Sequence, residues 1–581
     1  MVKVILKKGE EIKTVFCEKG KTILQCIREN KMNLETPCNG NGFCGKCKVK
    51  AIGNLSELTK EESKFINEEE NERLACIAKI QGEVLIEFLK LEKSLKTINR
   101  GYSIEVPIDS VIKKYTIKNI EKDSTPYIEN TEILNLEPIS SSIYEHIGKY
   151  ENKEINNIEV VAYNNKIIDI GLNHEIKNIL AVAIDIGTTG ISSYLINVES
   201  GEILNKNSSL NPQTQFGGDV LTRITYCMEN PNGVKELQDS IIEEINKIIL
   251  TLIGDSYFLD NIYNVTIAAN TTMLHLLLGV SPVSLAKAPY RSVFLNKMEI
   301  NCKDIGININ KNGMLTILPS ASSYIGADII SGAVACNFHS KNNKSVFIDI
   351  GTNGEMLALN KNQIVATSTA AGPALEGMNI DCGCRAEKGA IESFYIDENL
   401  KLNYTTIDNS EPIGICGSGL IDITAALINN NIILKSGKFR KDLPSILADK
   451  IKDKKFYITE KIYISQKDIR QIQLAKAAIA TGIKLLLKEL KLNIEEIEEI
   501  YIAGAFGYHI NGESIKTIGL IPKGFKGKII FLGNTSIEGA RLSIINKEIL
   551  ESMEKLKRNI KVLELSTSDQ FQNQFIKELS F

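Results

Sequence analysis

The strongest constraint on how this chain can fold is a near-duplication. Residues 180–196 read LAVAIDIGTTGISSYLI and residues 345–359 read SVFIDIGTNGEMLAL. Each copy is an apolar run ending in Asp, then Ile-Gly-Thr-x-Gly, then a second strand-like run. Internal similarity of this kind marks a repeated structural unit. The paired glycines permit a tight hairpin with positive φ. Such a hairpin turns successive N–H groups and a Thr hydroxyl toward one point, a small nest for an anion. Asp185 and Asp349, at the two strand ends, would repel a phosphate but can hold Mg²⁺ through water. Two such turns facing each other would grip a nucleotide's phosphates and metal from both sides. One Asp-x-Gly-Thr is an ordinary hairpin sequence. Two copies in matching strand contexts carry more weight.

A third element follows. EEIYIAGAFG, residues 498–507, reads as a strand ending at Gly504 and Gly507, where adenine or ribose could lie against backbone. Before it, SQKD at 465–468 is a capping box. Ile472, Ala475, Ile479, Ile483, Leu486 and Leu490 then recur at helical spacing, which predicts a long helix with a core-facing stripe.

The other strong signal is CNGNGFCGKC, residues 38–47. Cys38, Cys44 and Cys47 are spaced C-x5-C-x2-C, and Cys76 stands alone about thirty residues later. Four thiolates suit tetrahedral zinc or an iron–sulfur cluster. Structural zinc usually takes two C-x2-C hooks. Three ligands from one glycine-rich loop are closer to the plant-type two-iron spacing, with one extra residue in the first interval. Gly40, Gly42 and Gly45 let the loop wrap closely and aim amides at sulfur. The flanking strand-like runs VKVILKK and IKTVFC, and the helical KTILQCIREN, complete a segment that resembles a ferredoxin-type β-grasp domain. A structural zinc loop is the alternative. Cys17 and Cys26 sit on apolar faces and read as core.

The chain has 581 residues, more than one hydrophobic core can organise. Its net charge of −3 gives no basic excess for nucleic acid. No apolar stretch reaches membrane-spanning length, and MVKVILKKGEE has no signal-peptide core. A cytoplasmic location with reduced thiols is expected. Five histidines and no tryptophan among 12 cysteines favour thiolate over imidazole ligation.

The expected architecture is multidomain. An α+β, ferredoxin-like β-grasp domain occupies 1–88, a linker 89–103, and a small α+β middle domain 104–176, a candidate surface for homodimer contacts. Residues 177–581 form the remainder. The order of the two Asp-Ile-Gly-Thr turns and the Gly504 segment resembles the actin, sugar-kinase and Hsp70 ATPase superfamily. The resemblance implies an α/β, two-lobed, ribonuclease H-like domain with ATP in the cleft. It further implies a first phosphate turn of Asp185, Gly187, Thr188 and Thr189, and a second of Asp349, Gly351, Thr352 and Gly354, with Gly504 and Gly507 at the adenosine.

The chain also carries NPQTQFGGDVLTRI (211–224), ANTTMLHLLLG (269–279), AAGPALEGMNI (370–380), GICGSGLID (414–422) and GLIPKGF…FLGNTSIEGA (519–540). Together with the fused cluster domain, these resemble the reductive activators of corrinoid proteins. That resemblance implies a [2Fe–2S] cluster on Cys38, Cys44, Cys47 and Cys76, together with ATP and Mg²⁺. It implies a corrinoid protein as electron acceptor, reduced from Co(II) to Co(I), and a low-potential electron donor. Rival readings are a sugar-kinase-type enzyme with a redox-sensing ferredoxin domain, an electron-donating ATPase for a radical dehydratase, and a non-catalytic iron–sulfur nucleotide switch. Cys382, Cys384 and Cys416 read as parts of tight packing turns rather than as relays, and His275 as structural.

Overall fold

A computed structural model describes residues 1–8, 11–30, 32, 34, 47–63, 65–66, 70–88, 101–118, 136–139, 143, 148, 157–217, 219–377, 379–384, 386–504, 510–565 and 569–581. The first sheet is built from β1 (Val2–Lys8), β2 (Glu11–Cys17), β3 (Lys48–Leu55), β4 (Glu72–Leu74) and β5 (Ile80–Phe88). Its order is β2-β1-β5-β3-β4, with β1 parallel to β5. The helix Ile23–Glu29 buries Ile23, Leu24, Cys26 and Ile27 in the same core as Val4, Leu6, Val49 and Ile86. Alternation along each strand selects those residues for the covered face. This is the β-grasp arrangement, and Cys17 and Cys26 are core thiols within it.

A four-stranded sheet follows, of β6 (Ile112–Lys118), β7 (Glu137–Pro138), β8 (Asn157–Tyr163) and β9 (Lys166–Leu172), in the order β6-β8-β9-β7. One face has its own core of Ile117, Ile158, Val160, Ile167 and Ile170. On the other, Ile112, Val161, Tyr163 and Ile168 join the core of the next lobe. Polar contacts fix the joint: Tyr263 Oη donates to Asp169 at 2.8 Å, and Asn312 Nδ2 to the Ile168 carbonyl at 2.7 Å.

The duplicated sequence gives duplicated topology. The first lobe contains β10 (Leu180–Ile186), β11 (Gly190–Asn197), β12 (Ile203–Leu210), β13 (Ile262–Ala269), β14 (Met298–Asn301) and β15 (Met314–Ile317), ordered β12-β11-β10-β13-β15-β14. The second begins with β16 (Ser345–Ile350), β17 (Gly354–Asn360) and β18 (Gln363–Thr369). Two small three-stranded sheets are appended: β19 (Ala390–Ile396), β20 (Leu402–Thr406) and β21 (Gly414–Ile415), then β22 (Ile451–Lys452), β23 (Lys455–Tyr457) and β24 (Tyr463–Ser465). The main sheet closes with β25 (Glu499–Ala503), β26 (Lys528–Gly533) and β27 (Ile560–Val562), in the order β26-β25-β16-β17-β18-β27. In both lobes an antiparallel meander starts at the Asp-bearing strand, whose other edge takes parallel strands. The predicted long helix is Gln466–Glu489. Its capping box is formed, with Ser465 Oγ accepting from Asp468 N at 3.2 Å, and the predicted stripe is buried.

Two helices lie between the lobes. Ala327–Ala335 connects β15 to β16, and Thr535–Ile545 leaves β26 and packs on β10 and β13 of the other lobe. They meet through small residues. An added Cβ on Gly539 would lie 2.3 Å from the Ser331 carbonyl oxygen, so only glycine permits this approach. Among the described residues, no helix is long and apolar enough to cross a membrane.

The glycine motifs around the second-lobe cysteines serve packing. Gly419 lets the helix Gly417–Asn429 abut the Ile391 carbonyl, where a Cβ would lie 2.1 Å away, and the Cys416 thiol donates to that carbonyl at 3.2 Å. On the same helix, burial pushes the Asp422 carboxyl up to about 6, and its Oδ1 has no partner among the described residues. A folded-state value above the unfolded 3.8 means that the native state binds the proton more tightly. The resulting stability is lost as pH rises through about 6. Asp422→Asn should therefore flatten the loss of stability between pH 4 and 6 and make the protein more stable at pH 7, by up to about 3 kcal/mol, as calorimetry from pH 4 to 7 would show.

Candidate functional site

Of the four candidate cluster ligands, Cys38 and Cys44 lie outside the described residues. The other two are brought together by sheet register. Lys48 pairs with Leu74, so Cys47 just before β3 and Cys76 just after β4 reach the same end of the sheet. Their Sγ atoms are 3.1 Å apart and are not joined in a disulfide, which would need about 2.05 Å. Two thiols this close, aimed at one point, fit a shared metal atom. The segment carrying Cys76 is anchored by Glu62, which is fully buried. Glu62 takes Arg73 in a two-pronged pair at 2.8 and 3.0 Å and also accepts from Leu74 N at 2.8 Å.

In the first lobe the turn after β10 closes through Gly187 N donating to the Gly190 carbonyl at 2.9 Å. Side chains from distant segments hold it. Asn211 Nδ2 donates to the Gly187 carbonyl at 2.8 Å, and its backbone N donates to the Thr189 carbonyl at 2.9 Å. Asn270, the cap of helix Thr271–Leu277, donates to Thr188 Oγ1 at 3.3 Å. Arg223 is fully buried and donates to the Thr188 carbonyl and, at 2.9 Å, to the Gly217 carbonyl. Burial lowers its guanidinium to about 10, still charged at neutral pH. The Asp185 carboxylate accepts from Asn534 Nδ2 and Ser536 Oγ, each at 2.8 Å. Those donors sit at the start of the interlobe helix Thr535–Ile545, so Asp185 is positioned from the hinge. His275 has no part in this. Its Nδ1 donates to the Thr271 carbonyl at 2.7 Å and its Nε2 accepts from Val293 N at 3.1 Å.

The second turn closes through Gly351 N donating to the Asn353 carbonyl at 2.9 Å. Gly354 is buried where an added Cβ would press on Ile479 and Thr369 at 3.1 Å. Thr352 Oγ1 donates to Glu376 Oε2 at 3.3 Å. Gly504, the residue assigned to the adenosine, packs against the strand end that leads into this turn. It takes φ +104°, and a Cβ there would stand 2.6 Å from the Ile350 carbonyl and 2.9 Å from Asp349 Oδ1. Gly507 lies outside the described residues.

The two turns face each other closely enough for their carboxylates to interact. Burial, then Asp328 and Asp185, raise Asp349 to about 8. Burial and Asp185 raise Asp328 to about 7. Glu355, paired in register with Asp349, is raised well above its ordinary value by burial and by both Asp328 and Asp349. Like charges crowded without a nearby cation raise one another in this way. Among the described residues no three acids, His or Cys converge to hold a metal directly.

Comparison with known proteins bears on both sites. Residues 6–81 match the 2Fe-2S iron–sulfur cluster binding domain, 180–341 the RACo middle region, and 343–581 the C-terminal domain of RACo, the ASKHA domain. The corrinoid activation enzyme RamQ of Eubacterium limosum is 31% identical over 576 residues, covering 94% of each chain. The chain belongs to the RACo family, the reductive activators of corrinoid proteins. A solved reductive activator for the corrinoid, iron–sulfur protein is 28% identical and superposes with a TM-score of 0.77, covering 100% of this chain and 98% of the other. The [Co(II) methylated amine-specific corrinoid protein] reductase of Methanosarcina barkeri is 26% identical, covering 69% of this chain and 76% of its own.

The structure adds residues to this RACo site that spacing alone did not single out. Asn211, Arg223, Asn270, Glu376, Asn534 and Ser536 all fall within motifs quoted for the resemblance, but their roles as props for the turns emerge only in three dimensions. Asp328 had a weaker signal, one acid in the first turn of a helix of small residues. Glu355 stands in the duplicated motif itself, where the first copy has Ser192 opposite Asp185.

Two outcomes test this geometry. Cys76→Ala should abolish visible cluster absorption in anaerobically reconstituted protein while leaving the far-ultraviolet circular dichroism native. Asp328→Asn should raise the thermal midpoint of nucleotide-free protein at pH 8 by a few degrees, because one of the crowded charges is gone.

Proposed function

We propose that this chain is an ATP-dependent reductive activator that passes one electron to a corrinoid protein and returns its cobalt from Co(II) to Co(I). The observation that carries the reading is the pairing of two facing Asp-Ile-Gly-Thr turns, whose carboxyl groups crowd one another, with a close thiol pair in one chain. The names of RamQ and of the methylamine-system reductase point to the same class of acceptor. Cys38, Cys44, Cys47 and Cys76 would hold a [2Fe–2S] centre, which when bound supplies one electron at about −400 mV.

Reduction of Co(II) to Co(I) from that potential runs uphill. A deficit of a few hundred millivolts costs roughly 5–7 kcal/mol for one charge. The nucleotide lobes are suited to offset that cost. The turn amides at Gly187–Thr189 and Gly351–Thr352 would take the phosphates, Asp185 and Asp349 the Mg²⁺, and Gly504 would keep the second turn in place. Binding Mg·ATP would place its divalent cation beside these carboxylates and its phosphates on the turn amides, and so draw the lobes together about their two interlobe helices. Closure can favour Co(I) only by the difference in affinity of the closed and open chains for the two partner states. ATP therefore acts on the complex of the two proteins, and a low-potential donor recharges the chain afterwards.

The test is a single-turnover mixture of reduced, reconstituted chain with a Co(II) corrinoid protein, with and without Mg·ATP. Co(I) absorbance should appear only with ATP, and the partner should accelerate hydrolysis. Asp349→Asn should slow hydrolysis about 100-fold or more, as expected for loss of a metal-holding carboxylate, with the cluster spectrum unchanged. Equal Co(I) formation without ATP would refute the coupling, and sugar-dependent ADP release would indicate a kinase.

A further inference from the structure

Residues 101–110 form a strap that follows the interlobe helix Thr535–Ile545 from its first turn to its last. Tyr102 N donates to the Leu532 carbonyl at 2.7 Å, and Ile104 N to the Ala335 carbonyl at 2.9 Å, at the end of the other interlobe helix. Ser103 Oγ accepts from Arg541 Nη2 at 3.0 Å, and Arg541 pairs with Glu538 at 2.8 Å. Further along, Asn546 Nδ2 donates to the Pro107 carbonyl at 3.0 Å, Asp109 N to the Ile545 carbonyl at 2.9 Å, and Ser110 Oγ to the Ile544 carbonyl at 2.6 Å.

The tightest point is Gly101. An added Cβ would stand 2.0 Å from the Asn534 carbonyl oxygen, 2.5 Å from its carbon and 2.9 Å from Thr535 N. Asn534 is the residue whose carboxamide holds Asp185 at 2.8 Å. Gly533 and Asn534 also form the junction where the chain leaves the second-lobe sheet for a helix seated on the first. Chain order places the segment leading from the cluster domain immediately before Gly101.

We infer that residues 101–110 couple the nucleotide site to the cluster domain, with Gly101 as a positioning residue that transmits movement at Asn534 to the tether. The inference rests on the ATP-dependent function proposed above. Closure of the lobes moves the junction at 532–535, and a strap hydrogen-bonded along both interlobe helices moves with it, because close-packed segments shift as bodies rather than deform. A passive strap, present only for stability, is the opposing outcome.

Two measurements on the full reconstituted chain decide it. Amide exchange of peptides covering 101–110 should change about tenfold on adding a non-hydrolysable ATP analogue with Mg²⁺. In Gly101→Ala, Co(I) formed per ATP hydrolysed should fall about tenfold, with hydrolysis continuing and the cluster spectrum unchanged. Equal losses of hydrolysis and Co(I), or a wild-type ratio, would overturn the inference. If the variant does not fold, the exchange experiment on the unmodified chain stands alone, and unaltered exchange in protein that binds the analogue overturns the coupling while sparing the proposed function. A chain that binds no nucleotide overturns both.

Discussion

Where the two turns meet, Asp185, Asp328, Asp349 and Glu355 crowd together, and the last three are raised by burial and by their acidic neighbours. Moving Asp349 from 3.8 to about 8 represents several kcal/mol of unfavourable charge burial, at about 1.4 kcal/mol per unit. That is comparable to two or three fully buried Ile or Leu side chains. The nucleotide-free chain tolerates it because two large apolar cores flank the gap. One joins the first lobe, the interlobe helices and the near face of the second sheet, and the other packs that sheet's far face on the helix Gln466–Glu489.

The two turns are alike in backbone and unlike in support. The first is held by amide and guanidinium donors, Asn211, Arg223 and Asn270, acting on its carbonyls and hydroxyl. The second is held by steric exclusion at Gly354 and Gly504 and lies beside acids, Glu355 and Glu376. The first turn is thus fixed by hydrogen bonds from its own lobe, with Asp185 held from the interlobe helix, whereas the second stands among more acidic neighbours. A nucleotide bridging them meets one rigid wall and one electrostatically poised wall.

The thiol pair and the nucleotide turns lie far apart in sequence, and the middle sheet stands between them in chain order. That sheet spends one face on a core of its own and the other on the first lobe, where Asp169, Tyr163 and Asn164 make polar contacts with Tyr263, Asn310, Thr316 and Glu299. The preceding strap, residues 101–110, is hydrogen-bonded along the interlobe helices. The middle of the chain, compositionally the least informative part, is therefore bound firmly to the first lobe through one face of its sheet.

The sequence by itself determined the repeated strand–turn–strand units, the four-cysteine pattern and the long capped helix. Each is a local matter: glycine conformation, ligand spacing and hydrophobic period act within a few residues. Tertiary structure alone decided which side chains attend the turns. Arg223 reaches Thr188 across 35 positions and Asn534 reaches Asp185 across 349, and no local period records such a meeting. It also decided that Gly504 backs Asp349, that Asp328 joins the carboxylates, and that Gly101 abuts Asn534. The reason is that burial, charge crowding and steric exclusion are properties of what packs alongside a residue, and the sequence states only what precedes and follows it.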